Sequence, residues 1–465
     1  MTLAHQEVAA TEGNVSVVET GDFIVNGAHA QVPIDGGLAI QTGLLHEVCF
    51  TERDALSRDL AVVLGAVKCA DRTFRRHHGR CWERRLTVTV PVYQLAAWRD
   101  ADVTSALVES LQYLTGDFWH FEFVRRRRKA DTSGQATLLA SPQRRRVFIP
   151  FSHGLDSFAQ SQLLRAADAQ VDLLPVHLRS SSTEGTMKSL GRSAKRQLTP
   201  VPVSAHVDEP KHAEPSFRTR PFLYDGLAAH AAALSGGGKV LIPENGQGSL
   251  GGSLVRLGAE APHRSCHPGF TTRLRRFFEH LTGEDVRFAH PALFQTKGQV
   301  LRSLVRVCPD SAEWLGAHPS CSYDARHANR NGRLVHCGVC GNCVLRRLSL
   351  HAAGIVDPTP YKVSDVHATS LDTALLEGDE ARSMKAFKDI ARNAARSMQR
   401  LAELANLDDG YRVAAEVEAI SRYEGRPNTQ VRDEVTGMLQ QHSREWAHFL
   451  QHCGQSSWLA ELARG

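Results

Sequence analysis

Residues 147–157 read Val147-Phe148-Ile149-Pro150-Phe151-Ser152-His153-Gly154-Leu155-Asp156-Ser157. The short apolar run predicts a buried strand. It empties into a small glycine-containing turn, and Asp156 and Ser157 then open a helical segment that continues to Ala167. A turn that joins a strand to a helix N-terminus presents unpaired backbone N–H groups and the positive end of the helix dipole, which suits an anion and above all a phosphate. No Gly-Lys-Ser/Thr follows the turn, as a Walker loop requires, and no GxGxxG fingerprint is present.

Outward from this stretch, residues 145–365 alternate strand and helix. Val171 to His177 predicts a second strand, Pro221 to Leu234 a helix and Lys239 to Pro243 a third strand. Strands separated by helices predict a parallel sheet covered on both faces, with ligands beyond the carboxyl ends of its strands. The Ser152 loop and the segment Glu244-Asn245-Gly246-Gln247-Gly248 both fall at that edge.

Cys321, Cys337, Cys340 and Cys343 are spaced C-x15-C-x2-C-x2-C. Two-residue spacers let successive thiolates converge on one ion, and Gly338 and Gly341 are expected to permit the tight turns. Four sulfur ligands predict a tetrahedral structural zinc; an iron–sulfur cluster is the alternative. His336 or His327 is an alternative ligand for one position. With four protein ligands the metal has no open position, so its predicted role is to fold the loop.

Residues 1–140 predict an α+β accessory domain, with strand-like runs at Val15–Val18, Leu86–Val92 and Trp119–Val124 and a helical stretch around Asp54–Val67. Cys49, Cys69, Cys81, His77 and His78 lack ligand spacing. Residues 366–465 predict a helical region, in which Met384, Phe387, Ala391, Ala394, Met398, Leu401 and Ala405 form one apolar face. Gly425-Arg426-Pro427-Asn428 breaks it before a last helix holding Trp446 and Phe449.

Composition narrows the class of function. A chain of 465 residues with 42% apolar and 23% charged residues has room for two or three cored domains. No run approaches the roughly 18 apolar residues of a membrane span. The N-terminus lacks the basic-then-apolar order of a signal peptide, so the expected location is cytoplasmic. The net charge of +5 is too small to point to nucleic acid. The basic clusters Arg125–Lys129 and Arg144–Arg146 read as solvated ends of a polar linker, Ala130–Gln143.

The Ser152 loop resembles the Ser-Gly-Gly-x-Asp-Ser pyrophosphatase loop of enzymes that split ATP between its α and β phosphates, with His153 in place of the first glycine. Together with the cysteine knot it resembles one family, the 7-cyano-7-deazaguanine synthases (QueC). The resemblance rests on Ser320-Cys321-Ser322-Tyr323, Cys337 to Cys343, Arg346-Arg347 and Asp357-Pro358-Thr359-Pro360-Tyr361, and on Lys297 before a helix. It implies a PP-loop ATP pyrophosphatase core (adenine nucleotide alpha hydrolase-like) over roughly 145–365. It also implies ATP, Mg²⁺ and a 7-deazapurine carboxylate as ligands. On this reading Ser152, His153, Gly154, Leu155, Asp156 and Ser157 bind the phosphates. Asp156, Ser157 and Lys297 are catalytic, Asp156 positions Mg²⁺, and Arg218, Arg220, Glu244 and Asn245 are candidates for contacting substrate.

The chain departs from the family at His153, in lacking the family's Tyr-Gly-Gln after the second strand and its Tyr-Pro-Asp-Cys-Arg segment, and in carrying two additional domains. That pattern resembles a divergent branch found in bacterial anti-phage operons, QatC of the Qat system and QueC-like proteins of CBASS systems. The branch implies transfer of the activated deazaguanine to an amine, the N-terminus of an operon partner. The rival readings are ordinary 7-cyano-7-deazaguanine synthesis, a tRNA-thiolating relative using Cys266, and a nucleotide-binding scaffold in which His153 has abolished turnover.

Overall fold

The computed structural model describes residues 10–77, 81–128, 146–152, 154–179, 198–315, 320–322, 328–330, 333–375, 384–406 and 410–465. The linker Ala130–Gln143, His78, His153, Tyr323 and His327 lie outside the described residues.

Two sheets organise the chain. The first is built from β1 (Thr11–Val18), β2 (Ile24–Asn26), β3 (His29–Pro33), β5 (Arg84–Val92) and β6 (Phe118–Arg125) in the order β2-β3-β1-β5-β6. Its strands run parallel apart from the β2–β3 pair. Where an α+β fold is expected, helix Ala101–Thr115 instead connects the parallel strands β5 and β6, as in a βαβ unit. Alternation sets which face is covered: along β6, Trp119, Phe121 and Phe123 are buried while Phe118, His120 and Glu122 are exposed.

The second sheet contains β4 (Leu38–Gln41), β7 (Arg146–Pro150), β8 (Asp172–Arg179), β9 (Val201–Val207), β10 (Gly238–Leu241) and β11 (Val286–Ala289). Their order is β11-β10-β7-β8-β9-β4, with all neighbours parallel except the antiparallel edge pair β4–β9. After β9 the chain returns across the sheet to lay β10 on the opposite side of β7. This is a doubly wound arrangement, and the carboxyl ends of β7 and β10 form its switch point, where such sheets open a crevice.

Both faces are covered. Helix Arg220–Leu234 packs on β7, β8 and β10, while helices Leu155–Ala167 and Lys297–Val307 pack against each other on the other side. Helix Ala55–Thr73 contacts β1 and β5 of the first sheet and β4 and β9 of the second, so one buried cluster runs from Val15 to Val286 through both.

A buried charge network braces this junction. Arg84 bonds Asp71 at 2.5 Å and Asp117 at 2.7 Å, and all three side chains are shut off from solvent. Thr219, just before helix Arg220–Leu234, donates its N–H and hydroxyl to Asp71 at 2.8 and 2.9 Å. Burial alone would raise the Asp71 carboxyl; Arg84, then Arg76, hold it down at about 2.

From Met384 onward the chain is helical: Met384–Glu403, Tyr411–Glu424, Asn428–Cys453 and Trp458–Arg464. The apolar face of the first packs within the chain, with Phe387, Ala391, Ala394 and Met398 buried beside Trp446, Phe449 and the cysteine knot. Gly425 ends helix Tyr411–Glu424 in the left-handed region at φ 64°, which glycine adopts without strain. No helix among the described residues is long and apolar enough to cross a membrane.

Candidate active site and metal centre

β7 is buried because both faces of its sheet are covered, and it delivers the loop to the switch point. The Phe151 N–H donates to Val176 O on β8 at 2.8 Å, so the chain leaves the sheet only at Ser152. The Ser152 hydroxyl accepts from the Gly154 N–H at 3.3 Å. Gly154 is the N-cap of helix Leu155–Ala167, and the Ser157 hydroxyl donates to its carbonyl at 3.0 Å. Leu155 is buried beneath the turn beside Ala159, Val300 and Leu304. The loop is therefore held by its own serines and by the core below it, with the helix N–H groups at its mouth.

Asp156, in the first turn, meets residues from two other segments. Lys297 Nζ donates to Asp156 Oδ2 at 2.5 Å, and Asn245 Nδ2 donates to Oδ1 at 3.2 Å. Asn245 also donates through Nδ2 and its N–H to Glu244 Oε1, at 2.6 and 3.0 Å. Its own Oδ1 caps helix Gly246–Leu254 by accepting from the Gly248 N–H at 3.1 Å. Burial, then the negative charge of Asp156, pushes the Glu244 carboxyl up to about 7, with Lys297 opposing. Two carboxyl groups, an ammonium and an amide thus share the crevice between β7 and β10.

A second layer of contacts fixes the lysine. Thr296 and Gln299 form a capping box at the start of helix Lys297–Val307, and the Thr296 hydroxyl donates to Glu445 at 2.9 Å. The Lys297 N–H donates to Gln247 Oε1 at 2.8 Å, and Gln247 Nε2 meets His442 Nδ1 at 2.7 Å. His442 Nε2 lies 2.9 Å from the Met398 carbonyl, so Nε2 carries the proton and Nδ1 accepts. Burial pushes His442 down to about 4, which keeps it neutral in that role. The C-terminal helices therefore reach the site through Gln247 and Thr296.

The cysteine knot is assembled as its spacing predicts. The sulfurs of Cys321, Cys337, Cys340 and Cys343 all lie within 4.8 Å of one another. Sulfurs about 2.3 Å from a tetrahedral zinc lie about 3.8 Å apart, and Cys337 Sγ and Cys343 Sγ are separated by 3.8 Å. The donor set fits a structural zinc. Gly338 sits at φ +88°, and a Cβ there would meet Val363 O at 2.3 Å. Gly341 has no positive φ; it begins helix Gly341–Ala352, so only Gly338 makes the special turn.

Arg346 and Arg347 lock the knot to the chain around it. Arg346 donates to Thr359 Oγ1 at 2.7 Å, to Ser320 Oγ at 2.8 Å and to the Leu315 carbonyl. Arg347 stacks on Tyr361 at 3.8 Å, and the Tyr361 hydroxyl donates to Asp357 at 2.7 Å. The Asp-Pro-Thr-Pro-Tyr segment is thus a brace for the knot. His336 is outside the sulfur cluster; its Nε2 accepts from the Ser320 N–H at 3.1 Å.

The other candidates sit differently. Arg218 stacks on Trp82 at 4.6 Å and pairs with Glu260 at 3.3 Å, and Arg220 lies over Tyr224 at 5.2 Å; among the described residues neither pairs with the Asp156 cluster. Burial and the carboxyl groups of Glu244 and Asp225 push the Cys266 thiol well up, which leaves it a poor nucleophile. His267 caps helix Pro268–Thr282 and joins Tyr113 at 2.9 Å to Glu416. The sequence reading missed the roles of Gln247, Thr296, His442 and Glu445. Thr296-Lys-Gly-Gln299 is a visible capping-box pattern, whereas nothing near His442 signals its partner 195 residues away.

No protein-family model matches the chain, and no solved structure matches it. Curated proteins do. The chain is 33% identical over 102 residues to proteins named 7-cyano-7-deazaguanine synthase from Brucella ovis, Brucella canis and Brucella suis. The match covers 22% of this chain and 39% of each relative. The chain is thus a distant relative of the 7-cyano-7-deazaguanine synthases, matched over about two-fifths of their length.

Proposed function

We propose that this chain is an ATP-dependent enzyme that adenylates the carboxylate of a 7-carboxy-7-deazaguanine-type substrate, releases pyrophosphate, and transfers the acyl group to an amine. The observation that carries the reading is the Asp156–Lys297–Asn245 cluster at the switch point of the doubly wound sheet. The similarity to 7-cyano-7-deazaguanine synthases supports the choice of substrate.

A carboxylate is a poor acyl donor until one oxygen becomes part of a leaving group. Attack of that oxygen on the α-phosphorus of ATP makes AMP the leaving group and expels pyrophosphate. The N–H groups opening helix Leu155–Ala167 and the Ser152 hydroxyl hold the pyrophosphate, and Lys297 neutralises the charge that develops on it. Asp156 offers the hard carboxylate oxygens that would hold Mg²⁺, which when bound would shield the phosphate charge. The amine nitrogen then attacks the acyl carbon and AMP departs. Glu244, which titrates near neutrality, takes the proton the amine sheds. Cys321, Cys337, Cys340 and Cys343 hold a zinc whose role is structural.

The acceptor in this reading is the N-terminus of a protein encoded beside this chain in an anti-phage operon. The departures from the Tyr-Gly-Gln and Tyr-Pro-Asp-Cys-Arg segments and the large N- and C-terminal regions favour an acceptor bigger than ammonia. Mass spectrometry of co-expressed operon neighbours tests it: a deazaguanine-sized mass increase is expected on one of them, and it is lost with Asp156→Ala. Free 7-cyano-7-deazaguanine with unmodified neighbours would instead support the second reading, ordinary nitrile synthesis, which the named activity of the relatives favours.

A further inference from the structure

Away from the Asp156 cluster and the cysteine knot, four histidines from three segments gather on one surface. His448 and His452 are four residues apart on helix Asn428–Cys453, so they project from the same face one turn apart. His351, in the last turn of helix Gly341–Ala352, sits against both. Its Nε2 is 3.1 Å from His448 Nδ1, and its ring stacks on His452 with centroids 4.5 Å apart. His367 stands edge-on to His452 at 5.1 Å. His448, His452 and His367 are exposed and His351 is half-buried.

From this grouping we propose that His351, His448 and His452 form a second metal site, which takes one divalent transition-metal ion of the kind that imidazole favours, such as zinc, nickel or copper. Nitrogens about 2.0–2.1 Å from a tetrahedral ion lie about 3.4 Å apart; His351 Nε2 and His448 Nδ1 now share a hydrogen bond at 3.1 Å, and an ion would replace the proton between them at nearly that spacing. A His pair at i, i+4 is a recurrent chelating arrangement on a helix. The stacked His452 ring does not yet aim a nitrogen at the His351–His448 pair, so binding requires it to rotate about its exposed side chain; His367, 5.1 Å from His452, is a further donor beside it. Partial burial, then the neighbouring His452 and His448, lower the His351 pKa, which favours the neutral ring with its lone pair.

The position gives such an ion a consequence. It would tie the knot helix Gly341–Ala352 to helix Asn428–Cys453, which carries His442 and Glu445, the residues that brace Gln247 and Thr296. The site is a clamp on the scaffold around Lys297, built only from imidazoles and separate from the four cysteines.

Isothermal titration of Ni²⁺ into the tag-free, full-length, zinc-loaded chain tests the proposal. One ion is expected to bind with micromolar affinity. His448→Ala/His452→Ala should weaken it by more than the about 10–100-fold typical of losing an outer-shell partner, with the zinc content of the cysteine knot unchanged. The single variant His351→Gln should weaken it as well. Equal affinity in wild type and double variant, or no saturable binding by the wild type, would overturn the site.

Discussion

Lys297 Nζ and Asp156 Oδ2 meet at 2.5 Å across 141 residues of sequence, with only 7% and 21% of the two side chains exposed. The pair joins the first turns of two helices on one side of the core sheet, so it couples the Ser152 loop to the cysteine-knot half of the molecule. Lys297→Met should cut ATP-dependent pyrophosphate release by about 100-fold or more, the scale of losing a preorganised charge contact. It should also lower stability by about 1–3 kcal/mol, because Asp156 loses its cation in a partly buried position. Pyrophosphate release and urea unfolding measured on the same preparation check both; full activity in the variant would remove Lys297 from the mechanism.

Gly298 follows the lysine, and a Cβ there would lie 2.9 Å from Ala352 Cβ and 3.0 Å from Glu445 Oε1. Neither neighbour is free to yield, since Glu445 is tied to Thr296 and Ala352 ends the knot helix. Gly298→Ala should displace the first turn of helix Lys297–Val307 and reduce pyrophosphate release by about tenfold or more, since misplacements of about 1 Å carry costs of that order. Zinc content should stay at the wild-type level. Unchanged kinetics would mean that the packing at Gly298 does not position the lysine.

Glu244 gives the site a pH signature. Its carboxyl is pushed from an ordinary 4.5 up to about 7 by burial and by Asp156. A raised folded-state value means that the protonated form is favoured by folding. The stability it contributes is complete below about 4.5 and is lost as pH rises through about 7. Thermal unfolding midpoints without ATP or Mg²⁺ should therefore fall for the wild type relative to Glu244→Gln between pH 5 and pH 8, values chosen to bracket the shift. Parallel curves for the two proteins would contradict the assignment.

Asp71 behaves in the opposite sense. Its folded value of about 2 lies below the ordinary 3.8, so its contribution is present above 3.8 and disappears as pH falls through about 2. Asp71→Asn leaves Arg84 and Arg76 partly uncompensated in a dry junction, and should cost about 3–5 kcal/mol at neutral pH. The difference from wild type should shrink on acidification below pH 4. Denaturant titrations at neutral and acid pH check it. A cost under about 1 kcal/mol would show that the network is dispensable.

Local chemistry was legible in the sequence where spacing alone determines it. The run Val147–Phe151, the small turn and Asp156 predict strand, loop and helix start, and β7 and helix Leu155–Ala167 follow that outline. The cysteine spacing likewise predicts four converging sulfurs. What sequence cannot disclose is strand order. Glu244 and Asn245 face Asp156 only because β10 lies beside β7, and β4, a four-residue strand from the N-terminal region, joins the far edge of the same sheet. Arg218 is a candidate substrate contact in sequence, and in the fold its guanidinium stacks on Trp82. Flat guanidinium groups satisfy aromatic faces as readily as anions. His442 was invisible because its role depends on a helix that returns to the site from the far end of the chain.

ATP–pyrophosphate exchange tests the central claim most directly, because it reports adenylation without requiring the acceptor. With 7-carboxy-7-deazaguanine, Mg²⁺ and the full-length zinc-loaded chain, exchange should depend on the added acid and vanish in Asp156→Ala. Exchange that does not require the acid, or that survives loss of Asp156, would contradict the account.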